Sequence, residues 1–210
     1  MSIGLDRRIR QDLLNRLRWN VLGGLNNIEI ACDTNKLTTY LPFFDHPAAD
    51  ESLGDEAPLS RIGAFSQDLA TKEDMDLRLP EEYRYKPSAD LTISNEDGRP
   101  ITLRQFVTEV HAYLNLPDVM GDIKKMKAAF LGHPVTREDG SQGRNTIYGH
   151  PVKLPEEVQF FFTLTMIFER DGTVTFRLSL FLEGELSQSA EEFWTGRQRR
   201  AREYEMERQA

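Results

Sequence analysis

The side chain best suited to proton transfer is His111. On a helical wheel it falls about 40° beyond Val107. That is the margin of an apolar arc, where a half-buried imidazole beside a sheet can serve as a general base. Tyr113 or Arg144 would orient the substrate. The plainer role for such a residue is a boundary histidine bonded to backbone. A second group lies in "REDGSQGRNTIYGHP", where Gly140, Gly143, Arg144, Tyr148 and His150 follow closely. Glycine-rich loops with an arginine can hold anions, although no defined phosphate-loop spacing is present. A third group is Phe161 and Phe181, near neighbours across a hairpin, with Arg177 between them. They suit a stacking platform or an anion contact; the plainer reading is cover by a loop, a terminal helix or a subunit interface.

Other chemistry is poorly served. His46, Asp45 and Asp50 have metal-ligand types but no specific spacing, and a zinc site needs three or four convergent ligands. Three histidines, His46, His133 and His150, precede proline, which favours extended loops. Cys32 falls on the apolar side of a strand, as a buried filler does. There is no P-loop, no dinucleotide fingerprint, no HExxH, no paired CxxC and no GxSxG. No metal or cofactor is expected.

These residues need elements to position them. Leu103, Phe106, Val107, Val110 and Leu114 form an apolar helical stripe, with Thr102 and Gln105 as its capping box. Pro117 follows, and a second helix, capped by Asp118, runs to Gly132. In "VQFFFTLTMIFERDGTVTFRLSLFL" the apolar residues fall almost wholly on even numbers. Strict alternation predicts two half-buried strands and excludes a membrane helix. A three-residue loop, Arg170 to Gly172, keeps the apolar faces together: Phe168 meets Val174, Met166 meets Phe176, and Leu164 meets Leu178. Leu5, Ile9, Leu13, Leu17 and Val21 recur every fourth residue, predicting a helix that ends at Gly23-Gly24. "NIEIACD" and "LTTYLPFF" read as strands, as does "DLTIS" before the Asn95 to Gly98 turn. From Asp45 to Glu82 periodicity fades and acidic residues outnumber basic ones. An acidic mobile loop is expected over 45–60, then a weaker turn-and-helix region. Ser189 and Glu192 cap a final helix with Phe193, Trp194, Ala201 and Tyr204 on one narrow stripe, its arginines balanced by glutamates.

The fold class expected is α+β in a single domain, 1–210. An antiparallel sheet centres on the hairpin of about 157–169 and 173–184. Helices pack on one face, with a terminal helix at each end. The 210 residues, 39% hydrophobic and 29% charged, suffice for a sizeable core. The net charge of −8 argues against nucleic acid and anionic lipid as partners. No apolar run reaches membrane-helix length, and "MSIGLDRRIRQDLL" lacks the apolar run of a secretory signal. One cysteine fits a reducing, cytoplasmic setting. The expected function is a non-enzymatic protein–protein interaction or assembly subunit, with a protein partner or a second copy of itself. The alternative is a cofactor-free isomerase, lyase or ligand-binding protein with its pocket between the sheet and helix 103–115.

Overall fold

The computed structural model describes residues 9–34, 37–55, 58–136, 138–140, 142–145, 151–185 and 188–209. In chain order its elements are α1 (Gln11–Arg16), β1 (Leu17–Arg18), β2 (Glu29–Thr34), β3 (Leu37–Pro42), β4 (Arg61–Ser66) and α2 (Gln67–Asp76). Then come β5 (Leu91–Ser94), α3 (Leu103–Leu114), α4 (Pro117–Leu131), β6 (His133–Thr136) and β7 (Gln142–Asn145). The chain closes with β8 (Phe161–Arg170), β9 (Thr173–Phe181) and α5 (Ala190–Gln209). The class is α+β. The principal sheet has the order β5-β4-β9-β8; β1-β2-β3 form a small antiparallel sheet and β6-β7 a ribbon. No helix among the described residues is long and apolar enough to cross a membrane.

The C-terminal hairpin forms, but by a different route from the predicted loop. Arg170 pairs with Thr173, so the turn has two residues. Asp171 and Gly172 have φ of 52° and 73°, the left-handed pair that a tight hairpin turn requires. Even positions therefore oppose odd ones beside the turn: Ile167 faces Phe176 and Met166 faces Arg177. A bulge between Leu164 and Met166 then inserts one residue and restores the pairing of Leu164 with Leu178. The residue expected in the loop thus sits in mid-strand, at Thr165. As a result Ile167 is 6% exposed on the core face, while Met166 turns outward at 49%.

The sheet is mixed rather than wholly antiparallel. β4, in the segment without clear periodicity, is a central strand that runs parallel to β9, with Ile62 opposite Val174 and Ala64 opposite Phe176. Its alternation rests on Ile62, Ala64 and Ser66, all buried, and two of those are too small to register as a hydrophobic pattern. Gly63 allows close approach: a Cβ there would lie 3.1 Å from Thr175 Oγ1.

The core lies between this sheet and α3. Leu103, Phe106, Val107, Val110 and Leu114 are all fully buried. The Thr102 hydroxyl accepts from Gln105 N–H at 3.2 Å, while the Gln105 side chain pairs with Asn95 instead of closing the capping box. α4 starts at Pro117 and stops at Gly132, whose φ is 71°.

The N-terminal helix is shorter than its four-residue spacing predicts. It ends at Arg16, and Leu17 and Arg18 pair with Ile30 and Glu29. A repeat of four is also a repeat of two, so Leu17, Trp19 and Val21 bury equally well as alternate residues of an extended chain. The acidic segment is also more deeply built in than an exposed loop. Leu53 is fully buried, accepts from Arg10 N–H and donates to the Ile101 carbonyl. Within the region read as a long loop, His133–Thr136 and Gln142–Asn145 pair as antiparallel strands, His133 in register with Asn145. Finally, helices cover both faces of the sheet: α3 packs on the core face, and α5 lies across the other face of the β8-β9 hairpin.

Candidate anion-binding site

The residues with predicted chemistry are dispersed. His111 Nδ1 accepts from Trp19 Nε1–H at 3.1 Å, and the two rings stack with centroids 6.0 Å apart. An accepting Nδ1 leaves the proton on Nε2, and burial lowers the imidazole's pKa below its usual range. The layer between α3 and the sheet is filled with aromatic rings. Trp19 stacks on Phe162 at 4.5 Å, and Phe106 packs on Phe162 and Phe176 at 6.2 and 5.1 Å. Tyr113 is buried there too, its hydroxyl pushed up to about 12 by burial. Arg144 lies on β7 in register with Pro134; Tyr148 and His150 lie outside the described residues.

Phe161 and Phe181 do face each other in the hairpin, and this chain's own α5 covers them. Phe181 stacks on Phe193 at 4.1 Å, and Phe161 meets Trp194 edge-on at 5.0 Å. Arg177 is not between them. It sits against Phe65 and Phe168, 5.6 and 5.8 Å from their ring centres, and its Nε is buried without a hydrogen-bond partner. Near β2, His46 Nδ1 accepts from Ala48 N–H at 3.1 Å, and Nε2 lies 3.4 Å from Cys32 Sγ. The ring's proton then points at the sulfur, so in this tautomer His46 is not a base for Cys32. Asp50 is engaged by Arg104 at 2.7 Å.

What the fold does assemble lies beneath α5. Ser189 and Glu192 close a reciprocal cap at its start: Ser189 N–H donates to the Glu192 carboxylate at 2.8 Å, and Glu192 N–H donates to Ser189 Oγ at 3.2 Å. From that fixed origin Phe193, Arg197 and Ala201, four residues apart, form the buried underside. Arg197 is 3% exposed. It donates to Thr163 Oγ1 at 3.2 Å and to the Leu14 carbonyl, and its guanidinium lies 5.7 Å from the Phe193 ring centre. Among the described residues it has no carboxylate partner, and its Nε has no hydrogen-bond partner at all. Burial, and secondly the charge of Arg200, pull the guanidinium down to about 9. It is still a cation at neutral pH.

Arg197 and Arg200 line a cavity of about 470 Å³ between α5 and the hairpin, with the hydroxyls of Thr163, Thr165 and Ser179 on its floor. At its far end Lys127, also 3% exposed, lies 2.9 Å from Glu185 and 3.3 Å from Asp68. Burial raises the Asp68 carboxyl above its ordinary range, and its Oδ2 is unpartnered. The two ends therefore differ in charge. Lys127 is matched by two carboxylates, whereas Arg197 and Arg200, one turn apart on α5, have none among the described residues. The Thr165 hydroxyl donates to the Arg177 carbonyl at 3.0 Å, so two cations beside the Thr163 and Ser179 hydroxyls are the groups suited to an anion.

Comparison with protein-family models, with curated proteins and with solved structures gives no match. The site therefore stands on its own geometry. Its central residue is hard to single out in the sequence, because α5 intersperses glutamates among its arginines. The signal that does mark it is spacing: Arg197 sits four residues from both Phe193 and Ala201, inside the apolar stripe.

Proposed function

We propose that this protein is a non-enzymatic binding protein, and that the cavity under α5 receives the anionic group of its ligand or protein partner. One observation carries the reading: Arg197 is buried as a cation without a counter-charge, at the wall of a cavity floored by hydroxyls. An uncompensated buried charge costs several kcal/mol, about 3–5 when the missing partner is a carboxylate. A protein that carries one beside an open cavity is built to be completed by something else. The same geometry does not assemble a nucleophile with a base. A role as an interaction or assembly subunit in a reducing, cytoplasmic compartment is compatible with this reading.

The test is thermal and denaturant unfolding of the whole protein in chloride buffer, with sulfate, phosphate or a small dicarboxylate added at constant ionic strength. A ligand of the folded state stabilises by about 2.7 kcal/mol at one hundred times its dissociation constant. Saturable stabilisation by at least one of these anions, absent in Arg197→Met, is the expected result. Equal stability in all four salts would refute the reading.

A further inference from the structure

The cavity under α5 continues along an open sheet edge. A second cavity, about 410 Å³, shares Leu164, Thr165 and Arg200 with the first. Its strand wall is made of four consecutive residues, Leu164 to Ile167. The bulge at Thr165 interrupts strict alternation, but Leu164 and Ile167 pack on the core face while Met166 turns outward. A cavity touching all four therefore runs beside the strand rather than over one face. Its other walls are helical: Gln11 and Asn15 of α1, and Arg200 and Tyr204 of α5, each pair four residues apart and so on one face.

β8 is the terminal strand of its sheet. The beginning of its outer edge is already used by this chain. Val21 N–H donates to the Phe160 carbonyl at 2.8 Å, and Phe162 N–H donates to the Trp19 carbonyl at 2.9 Å. Asn20 thereby bridges antiparallel to Phe161. This edge accepts an extended chain. Beyond Phe162 no described strand continues the pairing, and the open part of the edge faces the groove between α1 and α5. Of the usual guards of an open edge, proline and lysine are absent from "TLTMIFER"; the bulge at Thr165 leaves Met166 to Arg170 as the regular part of the edge.

We infer that this groove binds an extended acidic segment of a partner protein, which adds as a strand to the outer edge of β8 and presents a carboxylate to Arg200 and Arg197. The inference rests on the anion-binding reading above and names the occupant. Main-chain hydrogen bonds supply affinity in such an addition, and alternate side chains supply specificity. One alternate set of the added strand faces α5, where Arg200 has no carboxylate partner among the described residues. Acidic residues in that set, at i and i+2, are the recognition pattern.

The probe is a fluorescein-labelled octapeptide alternating Glu with Val, titrated with the whole protein and read by fluorescence polarisation. Three companions are run: Glu replaced by Gln, and two versions N-methylated at alternate residues, one for each edge of the peptide. The Gln peptide is expected to bind at least tenfold more weakly, and so is the Glu peptide to Arg200→Gln, an exposed substitution that leaves the core intact. One N-methylated version, and not the other, is expected to lose at least tenfold, because only one edge of a strand faces β8. Equal binding of both N-methylated versions to the parent, or no binding by the parent peptide, overturns strand addition. A dimer by light scattering that dissociates on Met166→Lys also overturns it, since a second copy is then the occupant. The salt series above separates the two ideas. Sulfate or phosphate stabilisation without peptide binding removes only the strand; neither effect removes the anion site as well.

Discussion

Replacing Arg197 by methionine gives the sharpest separation of a binding residue from a structural one. The guanidinium's fall from 12.5 to about 9 corresponds to about 5 kcal/mol against the charged form, at 1.36 kcal/mol for each tenfold. Methionine removes that penalty and keeps most of the apolar stem. It also removes two hydrogen bonds from a charged donor, worth about 1.5–3 kcal/mol each. Neither acceptor is orphaned: the Leu14 carbonyl keeps the Leu17 N–H, and the Thr163 hydroxyl is free to rotate. The two effects nearly cancel. The stability of Arg197→Met in sulfate- and phosphate-free buffer should lie within about 2 kcal/mol of the parent. Urea unfolding, with equal m-values as the check on two-state behaviour, measures it. A loss greater than about 3 kcal/mol is the signature of a broken buried pair. It would mean that Arg197 is structurally compensated, and the case for the site would fall.

Lys127→Met should behave oppositely. It strands Asp68 and Glu185, and denaturant unfolding should show a loss of about 3–5 kcal/mol, partly recovered by adding Asp68→Asn. Gly172→Val places a β-branched residue at φ 73° and should cost about 1–2 kcal/mol, read as a lower thermal midpoint. His111 sets a pH limb. Its folded pKa is lowered by burial, so the unfolded chain binds the extra proton first. Its contribution is complete above about 6.5, the unfolded value, and is lost as pH falls from there through the folded value. Protonation of the accepting Nδ1 would break the Trp19 bond in the same window. Stability measured from pH 8 to 5 should decline below 6.5, and His111→Gln should flatten that decline.

The hairpin is legible in the sequence because a long run of alternating apolar and polar residues fits a half-buried strand and not a helix. Its register is not. A two-residue turn with a bulge and a three-residue loop without one place the same residues inside at Leu164 and Leu178. They differ from Met166 to Glu169, where three of the four side chains are apolar and alternation discriminates poorly. β4 leaves little trace because Gly63 and Ala64 carry too little surface to show burial. The end of α1 is ambiguous because Leu13, Leu17 and Val21 satisfy helix and strand alike. The segment with Leu53 reads as an acidic loop because its burial rests on one leucine, two alanines and backbone bonds to distant residues. The anion site requires tertiary information. Arg197, Thr163 and Leu14 come from three separate elements, and only α5 folding back over the hairpin places a lone cation among them.

The pairing of β4 with β9 also constrains how this protein is made. Ile62 leaves the ribosome long before its neighbour Val174, and it must wait with one edge unsatisfied while most of the chain is synthesised. Contacts of such sequence separation slow folding, and exposed strand edges in incomplete chains are sites of aggregation. Nascent chains stalled before the turn at Asp171 would hold β4 and β5 as a two-stranded ribbon without a floor for α3. Such fragments should be more prone to aggregation than the finished chain.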